Sequence, residues 1–291
     1  MTQAHGSYYL PAPSFWPLVG SIGLFTLLLG FATLLNGGAL GSKLMILGGI
    51  IVAVMLFGWF GTVIVESEKG LYNDQVDDSF RWGMMWFIFS EVMFFGAFFG
   101  ALFYARLYSV PWIGGEATGA EVNKMLWPSF SAAWPLLKLP DASFFTEAKD
   151  KMHAWGLPAI NTMILLSSGA TVTYAHWSLK HNNRIHLILG LLATVALGFL
   201  FVYLQTLEYG HAYHELNLKL SSGIYGATFY LLTGFHGLHV TIGAIMLTVV
   251  LLRCIRGHFT DERHFAFEAA AWYWHFVDVV WLGLFVFVYW L

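Results

Sequence analysis

Charge is what this 291-residue chain has least of: 14 Lys and Arg and 17 Asp and Glu make up 11% of it, against roughly 25% in a soluble domain. With 58% hydrophobic and 18% aromatic residues, that scarcity excludes an ordinary soluble surface. There is no basic run and the formal net charge is −3, so the electrostatic footprint of a nucleic-acid binder is missing. A single cysteine, Cys254, permits neither an internal disulfide nor a thiolate metal cluster. Residues 1 to 42 hold no Lys or Arg, so no secretory n-region is expected, and no Arg-rich transit peptide appears. Internal repeats, phosphate-cradling glycine loops and nucleophile elbows are likewise missing.

Long apolar runs are present instead. About 20 such residues cross roughly 30 Å of hydrocarbon as a helix, and seven stretches qualify: Phe15 to Asn36, Leu44 to Val65, Trp82 to Ala105, Leu157 to Leu179, Ile185 to Leu207, Ile224 to Leu252 and Ala269 to Leu291. The sequence therefore predicts an all-α membrane protein with its termini on opposite sides. Short polar turns such as "KHNNR" and "RGHFTDERH" separate the spans, apart from one long connection over 108–156. Counting short loops only, Lys69, Arg81, Lys180, Arg184, Arg253, Arg256 and Arg263 face one side and Lys43 and Lys219 the other. The positive-inside rule then places the N-terminus in the cytoplasm. Trp16, Trp59 and Trp290, near span ends, read as interfacial anchors.

An ionisable residue at a helix centre costs about 2.5 to 3.5 kcal/mol on insertion scales, so intramembrane polar groups are where function concentrates. Glu91 in "WFIFSEVMFFGAFFG" and Asp278 in "FEAAAWYWHFVDVVWL" are two such acids, and no partner for Glu91 is visible. On the last helix, positions 268, 271, 272, 275, 278, 279 and 282 share one face. His275 and Asp278 are thereby neighbours, either as a structural pair in which Asp278 fixes the His275 tautomer or as part of a proton relay. Glu268, near that helix's N-terminus, suits the dipole. In "GFHGLHV", His236 and His239 stand at i, i+3 and point to one side, which cannot ligate both faces of one haem. A zinc or copper site there would need further ligands, so they are read as part of a structural polar network, with no metal expected. Gly96 and Gly100 form a GxxxG, and with Gly234, Gly237 and Gly243 they read as packing faces.

"FEAAAWYWHFVDVVWL", "GFHGLHVTIG", "FIFSEVMFF" and "NTMILLSSGATVTYAHWSL", in that order and with the N-terminal "PSFWPLVGS", resemble the third core subunit of the aa3-type cytochrome c oxidase family, haem-copper terminal oxidases. The resemblance covers nearly the whole chain. It implies a two-helix hairpin over 1–66, a cytoplasmic linker over 67–80, and a five-helix bundle over 81–291 that carries the outer loop 108–156, with a V-shaped, lipid-filled cleft between hairpin and bundle. It further implies a non-catalytic subunit of a proton-pumping translocase that reduces oxygen to water. Haem A and copper would lie in partner subunits, the catalytic subunit I and the copper-bearing subunit II. Bound phospholipid would be this chain's own ligand, and cytochrome c would be met through the complex.

Carried onto these residues, the resemblance implies a cleft carboxylate at Glu91 with Phe87 beside it, the acid ending the second helix at Glu66, and lipid-headgroup contacts at Arg253 and His258. The implied roles are support of proton uptake, stability and lipid binding; the expected location is a bacterial cell membrane ahead of the mitochondrial inner membrane. Two departures stand out. Val65 occupies a position where the family commonly has Arg, and the outer loop is expanded. Within that loop, "SFFTEAKDKMHAW" reads as a capped amphipathic helix with Ser143 or Thr146 as cap, and Trp127-Pro128 and Trp134-Pro135 read as interfacial turns. The competing readings are a quinol oxidase subunit III and a proton-coupled transporter working through Glu91 and Asp278. The missing inverted repeats and broken helices weigh against the transporter.

Overall fold

The computed structural model describes residues 12–291. Every regular element among the described residues is helical, and six helices are long and apolar enough to cross a membrane. The chain divides into two compact units, Met1–Phe80 and Arg81–Leu291.

The first unit is a helical hairpin, α1 (Trp16–Leu35) and α2 (Gly41–Glu68). Pro17 sits in the first turn of α1, where its missing N–H costs nothing. The buried residues of both helices are glycines alone: Gly20, Gly23 and Gly30 on α1, Gly41 and Gly48 on α2. A Cβ on Gly30 would fall 2.4 Å from the Met45 amide nitrogen, and one on Gly48 would fall 2.4 Å from that of Leu27. The two backbones therefore touch, the close approach that small residues allow in lipid. Bulky neighbours such as Phe25 and Phe57 are left exposed. Trp16 lays its ring over Gly58 and donates Nε1–H to Thr62 Oγ1 at 3.2 Å. At the far end of α2, the Tyr72 hydroxyl donates to Glu66 at 2.8 Å.

The stretch 67–80, expected as a linker, is mostly helix. α2 runs on to Glu68, and α3 (Asp74–Tyr104) starts where Asn73 Oδ1 accepts the Val76 N–H at 3.0 Å. Asp74 and Asp77 in the first turn favour the dipole.

In the second unit α3 ends in a π-helical turn (Ala105–Ser109), followed by the short α4 (Val110–Ile113) and α5 (Ala120–Leu126). The amphipathic helix expected around Ser143 to Trp155 does not form. Its backbone bonds go elsewhere: the Thr146 N–H donates to the Ser221 carbonyl (3.1 Å), Lys149 N–H to that of Leu216 (2.8 Å) and Met152 N–H to the Tyr225 hydroxyl (3.2 Å). Ser143, read as a cap, gives both its N–H and its hydroxyl to Asp141 (2.9 and 2.6 Å), the local turn such residues prefer over helix. These two donors hold the Asp141 carboxyl below the usual carboxylate range.

Four long helices complete the unit: α6 (Leu157–Lys180), α7 (Arg184–His214), α8 (Gly223–Arg256) and α9 (Phe265–Leu284), the last continuing as a π turn (Phe285–Trp290). Asn183 caps α7 by accepting the His186 N–H, and α8 stops at Gly257, whose φ of +88° suits glycine. α6 coincides with the fourth expected span but is not among the six apolar helices, because Ser, Thr and Asn interrupt it. Those groups are used internally. Trp274 Nε1–H donates to Ser168 and Trp281 Nε1–H to Thr162, each at 2.9 Å, and the Thr171 and Thr194 hydroxyls meet at 2.8 Å. α6 is thus stitched to α9 and α7 by bonds worth on average about 0.6 kcal/mol each in a membrane. Trp274, Trp281, Phe201, Phe229 and Phe267 are among the largest fully buried side chains, and Phe201 packs edge-on against Trp281 at 4.8 Å.

The glycine reading is corrected in part. Among the described residues a Cβ at Gly96, Gly100 or Gly237 would meet nothing within 4 Å, so these make no packing face within the second unit as described; Gly243 does lie against the Trp274 ring, at 2.8 Å.

Candidate functional site

α3 and α8 place Glu91 and His239 side by side, a partner for Glu91 that is not visible in the sequence. Glu91 Oε2 lies 2.9 Å from His239 Nε2. The other ring nitrogen of His239, Nδ1, is 2.6 Å from the Phe235 carbonyl. A carbonyl only accepts, so Nδ1 carries a proton. Nε2 then either accepts from a protonated Glu91 or, as part of an imidazolium, donates to the carboxylate. In both states one proton lies between the two side chains. Their surroundings are aromatic: the Phe95 ring is 5.0 Å and the Phe94 ring 6.0 Å from the imidazole, and Tyr273 stacks over it at 6.3 Å. Phe87 stacks in turn on Tyr273 at 6.2 Å. The Glu91 side chain keeps 21% of its surface open and that of His239 11%, so the pair is sheltered yet reachable.

His236, one turn away, goes to a different neighbour. Its Nε2–H donates to the Val277 carbonyl at 3.2 Å and its ring lies against Phe201 and Trp281. The two histidines therefore do not converge, and no group of three or more His, Cys, Asp or Glu able to hold a metal occurs among the described residues.

His275 and Asp278 are neighbours as their spacing requires, with His275 Nδ1 3.7 Å from Asp278 Oδ2. That separation exceeds a hydrogen bond. The tautomer is set elsewhere: Thr173 spends its hydroxyl proton on the Gly169 carbonyl (2.9 Å), so at 3.1 Å it accepts Nε2–H from His275. Asp278 Oδ1 is buried and meets no donor among the described residues.

The remaining expected residues lie at helix ends. Glu268, in the first turn of α9, pairs with Arg81 on α3, whose guanidinium also lies over the Phe265 ring. Arg253 is buried, with its guanidinium 4.3 Å from the centre of the Phe259 ring. His258 is half-buried and closes the end of α8 by donating its N–H to the Arg253 carbonyl at 3.1 Å. Glu66 holds Tyr72, as described.

One polar cluster escaped the sequence reading. Glu208, 1% exposed, accepts from the Tyr289 hydroxyl at 2.7 Å, and Asn161 Nδ2 approaches Gln205 Oε1 at 3.5 Å. Hydropathy ended the fifth span at Leu207, whereas α7 runs to His214. The signal available was one turn of helical pattern carried past Glu208.

A family model described as "Cytochrome c oxidase subunit III" matches residues 6–130 and 148–291. The chain belongs to that family. Three relatives named cytochrome c oxidase subunit 3, from Oncorhynchus mykiss, Gadus morhua and Tetraodon nigroviridis, are 40%, 40% and 39% identical to it over 289 residues, covering 99% of this chain and 98% of each relative. Subunit III is thus the frame for its chemistry, which sets the transporter reading aside. The residues that the family model passes over, 131–147, fall in the long connection between α5 and α6.

Proposed function

We propose that the chain, as subunit III of a cytochrome c oxidase, is a non-catalytic core subunit whose Glu91–His239 pair passes or stores a proton on behalf of the catalytic subunit. The observation that carries this reading is the 2.9 Å approach of Glu91 Oε2 to His239 Nε2, with the Phe235 carbonyl 2.6 Å from Nδ1, a geometry that calls for one proton between the two side chains. A pair so built changes state by moving one proton about an ångström, with no side-chain rearrangement. Haem A and copper belong to the partner subunits I and II, and electrons from cytochrome c reach them through the complex. Phospholipid is the ligand expected next to Glu91 and Phe87, with Glu66, Arg253 and His258 serving lipid at the helix ends.

The same reading takes α6 as a seventh crossing, two from the first unit and five from the second. Its polar groups bond within the bundle, which lowers their insertion cost. Seven cations against two in the short loops support a cytoplasmic N-terminus.

The test is Glu91→Gln in the intact oxidase. Gln can donate to His239 Nε2 and keeps the packing, so subunit and haem content should stay at the wild-type level while proton uptake during turnover slows. Unchanged uptake kinetics together with unchanged lipid content would remove Glu91 from the functional residues.

A further inference from the structure

The stretch that the family model passes over, 131–147, contains a closed loop, 139–147, whose carboxylates bond back onto the loop while its rings point out. Leu139 N–H donates to Glu147 Oε1 at 3.1 Å, which joins the two ends, and Ser143 engages Asp141 as described. At the tip, Phe144 is 82% and Phe145 52% exposed. One exposed apolar side chain needs no explanation. Two adjacent rings at the tip of a loop whose polar groups are already engaged mark a surface that meets something apolar.

Where the loop is held fixes what that is. Both of its ends rest on the start of α8: a Cβ on Gly223 would fall 2.7 Å from Leu139 Cδ2, the Ser221 hydroxyl donates to Thr146 Oγ1 at 3.3 Å, and Asn217 Nδ2–H donates to the Glu147 carbonyl at 2.9 Å. The 34 residues of α8 measure about 51 Å at 1.5 Å per residue, against roughly 40 to 45 Å for a bilayer with its headgroups. The first turn of α8, and the loop bonded to it, therefore lie at headgroup level, where amphipathic and aromatic side chains anchor. Ile224, Leu231 and Leu238, seven residues apart and all exposed, show that α8 turns an apolar face outward, and Leu220, 60% exposed, extends that face to the residues the loop is bonded to. Across 138–151 three Lys and three acidic residues cancel, so apolar contact rather than charge supplies the attraction.

We propose that the 139–147 loop is a membrane anchor added to the subunit III frame, which seats Phe144 and Phe145 among the phospholipid headgroups and upper acyl carbons of the leaflet at the α7–α8 turn. It requires only that α8 crosses the membrane, and is independent of any proton role for Glu91. The surface of another oxidase subunit is the competing occupant.

The experiment places a benzophenone amino acid at position 144 of the intact oxidase, reconstituted in nanodiscs of deuterated phosphatidylcholine. Irradiation yields adducts of one phospholipid mass on this chain as the main product; a main product joined to another oxidase subunit, or no adduct at all, overturns the proposal. Because benzophenone is itself greasy, a second version carries trifluoromethyl-phenylalanine at the same position, close to Phe in size. Its fluorine signal is lost when the lipid headgroups carry a nitroxide and survives a soluble gadolinium chelate. A loss to the chelate equal to or greater than the loss to the labelled lipid overturns the proposal.

Discussion

Removing either member of the Glu91–His239 pair should cost more than removing both. Glu91→Leu leaves His239 Nε2 facing an apolar wall of Phe94 and Phe95, and His239→Phe leaves the Glu91 carboxyl without its 2.9 Å partner. The coupling falls between the average of about 0.6 kcal/mol for interhelical bonds in a membrane and the roughly 1.5 to 3 kcal/mol of charge-assisted bonds. With only 21% and 11% of the two side chains exposed, at membrane depth away from water and headgroups, the pair is weakly screened, and about 1 to 2 kcal/mol is the expected value. The assay is a double-mutant cycle by detergent titration of the purified complex, following release of this chain. At about 2 to 4 °C per kcal/mol, the same coupling moves thermal midpoints by roughly 2 to 8 °C. Glu91→Gln supplies the internal control. Its amide still donates to Nε2, so it should lose less than about 0.5 kcal/mol. Additivity of the Leu and Phe variants within about 0.5 kcal/mol refutes the shared-proton geometry, as does a Gln variant as damaged as the Leu variant.

Two further outcomes follow from local geometry. Gly48→Val should weaken the α1–α2 hairpin by about 1 to 3 kcal/mol through overpacking, since its Cβ would fall 2.4 Å from the Leu27 nitrogen, whereas neighbouring Gly49→Val, whose Cβ meets only the Leu27 side chain at 3.9 Å, should be nearly silent; protease cleavage of the 36–40 turn reads both. Asp141, held below its usual range by Ser143, stabilises its turn above the unfolded pKa of about 3.9, and that contribution is lost as pH falls through the lower folded value. Loop 140–145 should therefore become protease-sensitive only in that acidic window, and Asp141→Asn should show the same sensitivity at neutral pH.

Much of the fold was legible because hydrocarbon is a demanding solvent: six apolar runs became helices at nearly the expected places. The face shared by His275 and Asp278 followed from helical spacing alone. Partnerships between helices were not legible. Nothing in "FIFSEVMFF" points to His239, and nothing in the HxxH spacing says that one histidine goes to Glu91 and the other to the Val277 carbonyl. Polar residues misled in both directions. Ser143 and Thr146 imitate a helix cap, but strands of loop compete for the same backbone, and the 216–225 segment takes it. Thr162 and Ser168 lower the hydropathy of α6 although each receives a buried indole. The GxxxG on α3 meets nothing close among the described residues, whereas the contacts that need glycine lie in the hairpin and, in the second unit, at glycines such as Gly198 and Gly243.

That hairpin has an unusual division of labour between its letters. Where a few glycines bring two backbones together and side chains such as Phe25 and Phe57 point outward, shape is specified largely by what is absent from a handful of positions. The outward-facing positions need only dissolve in oil. Leu, Phe, Ile or Val can trade places there without disturbing the joint, so the hairpin's outer surface is free to be retailored to the thickness and composition of whichever membrane surrounds it.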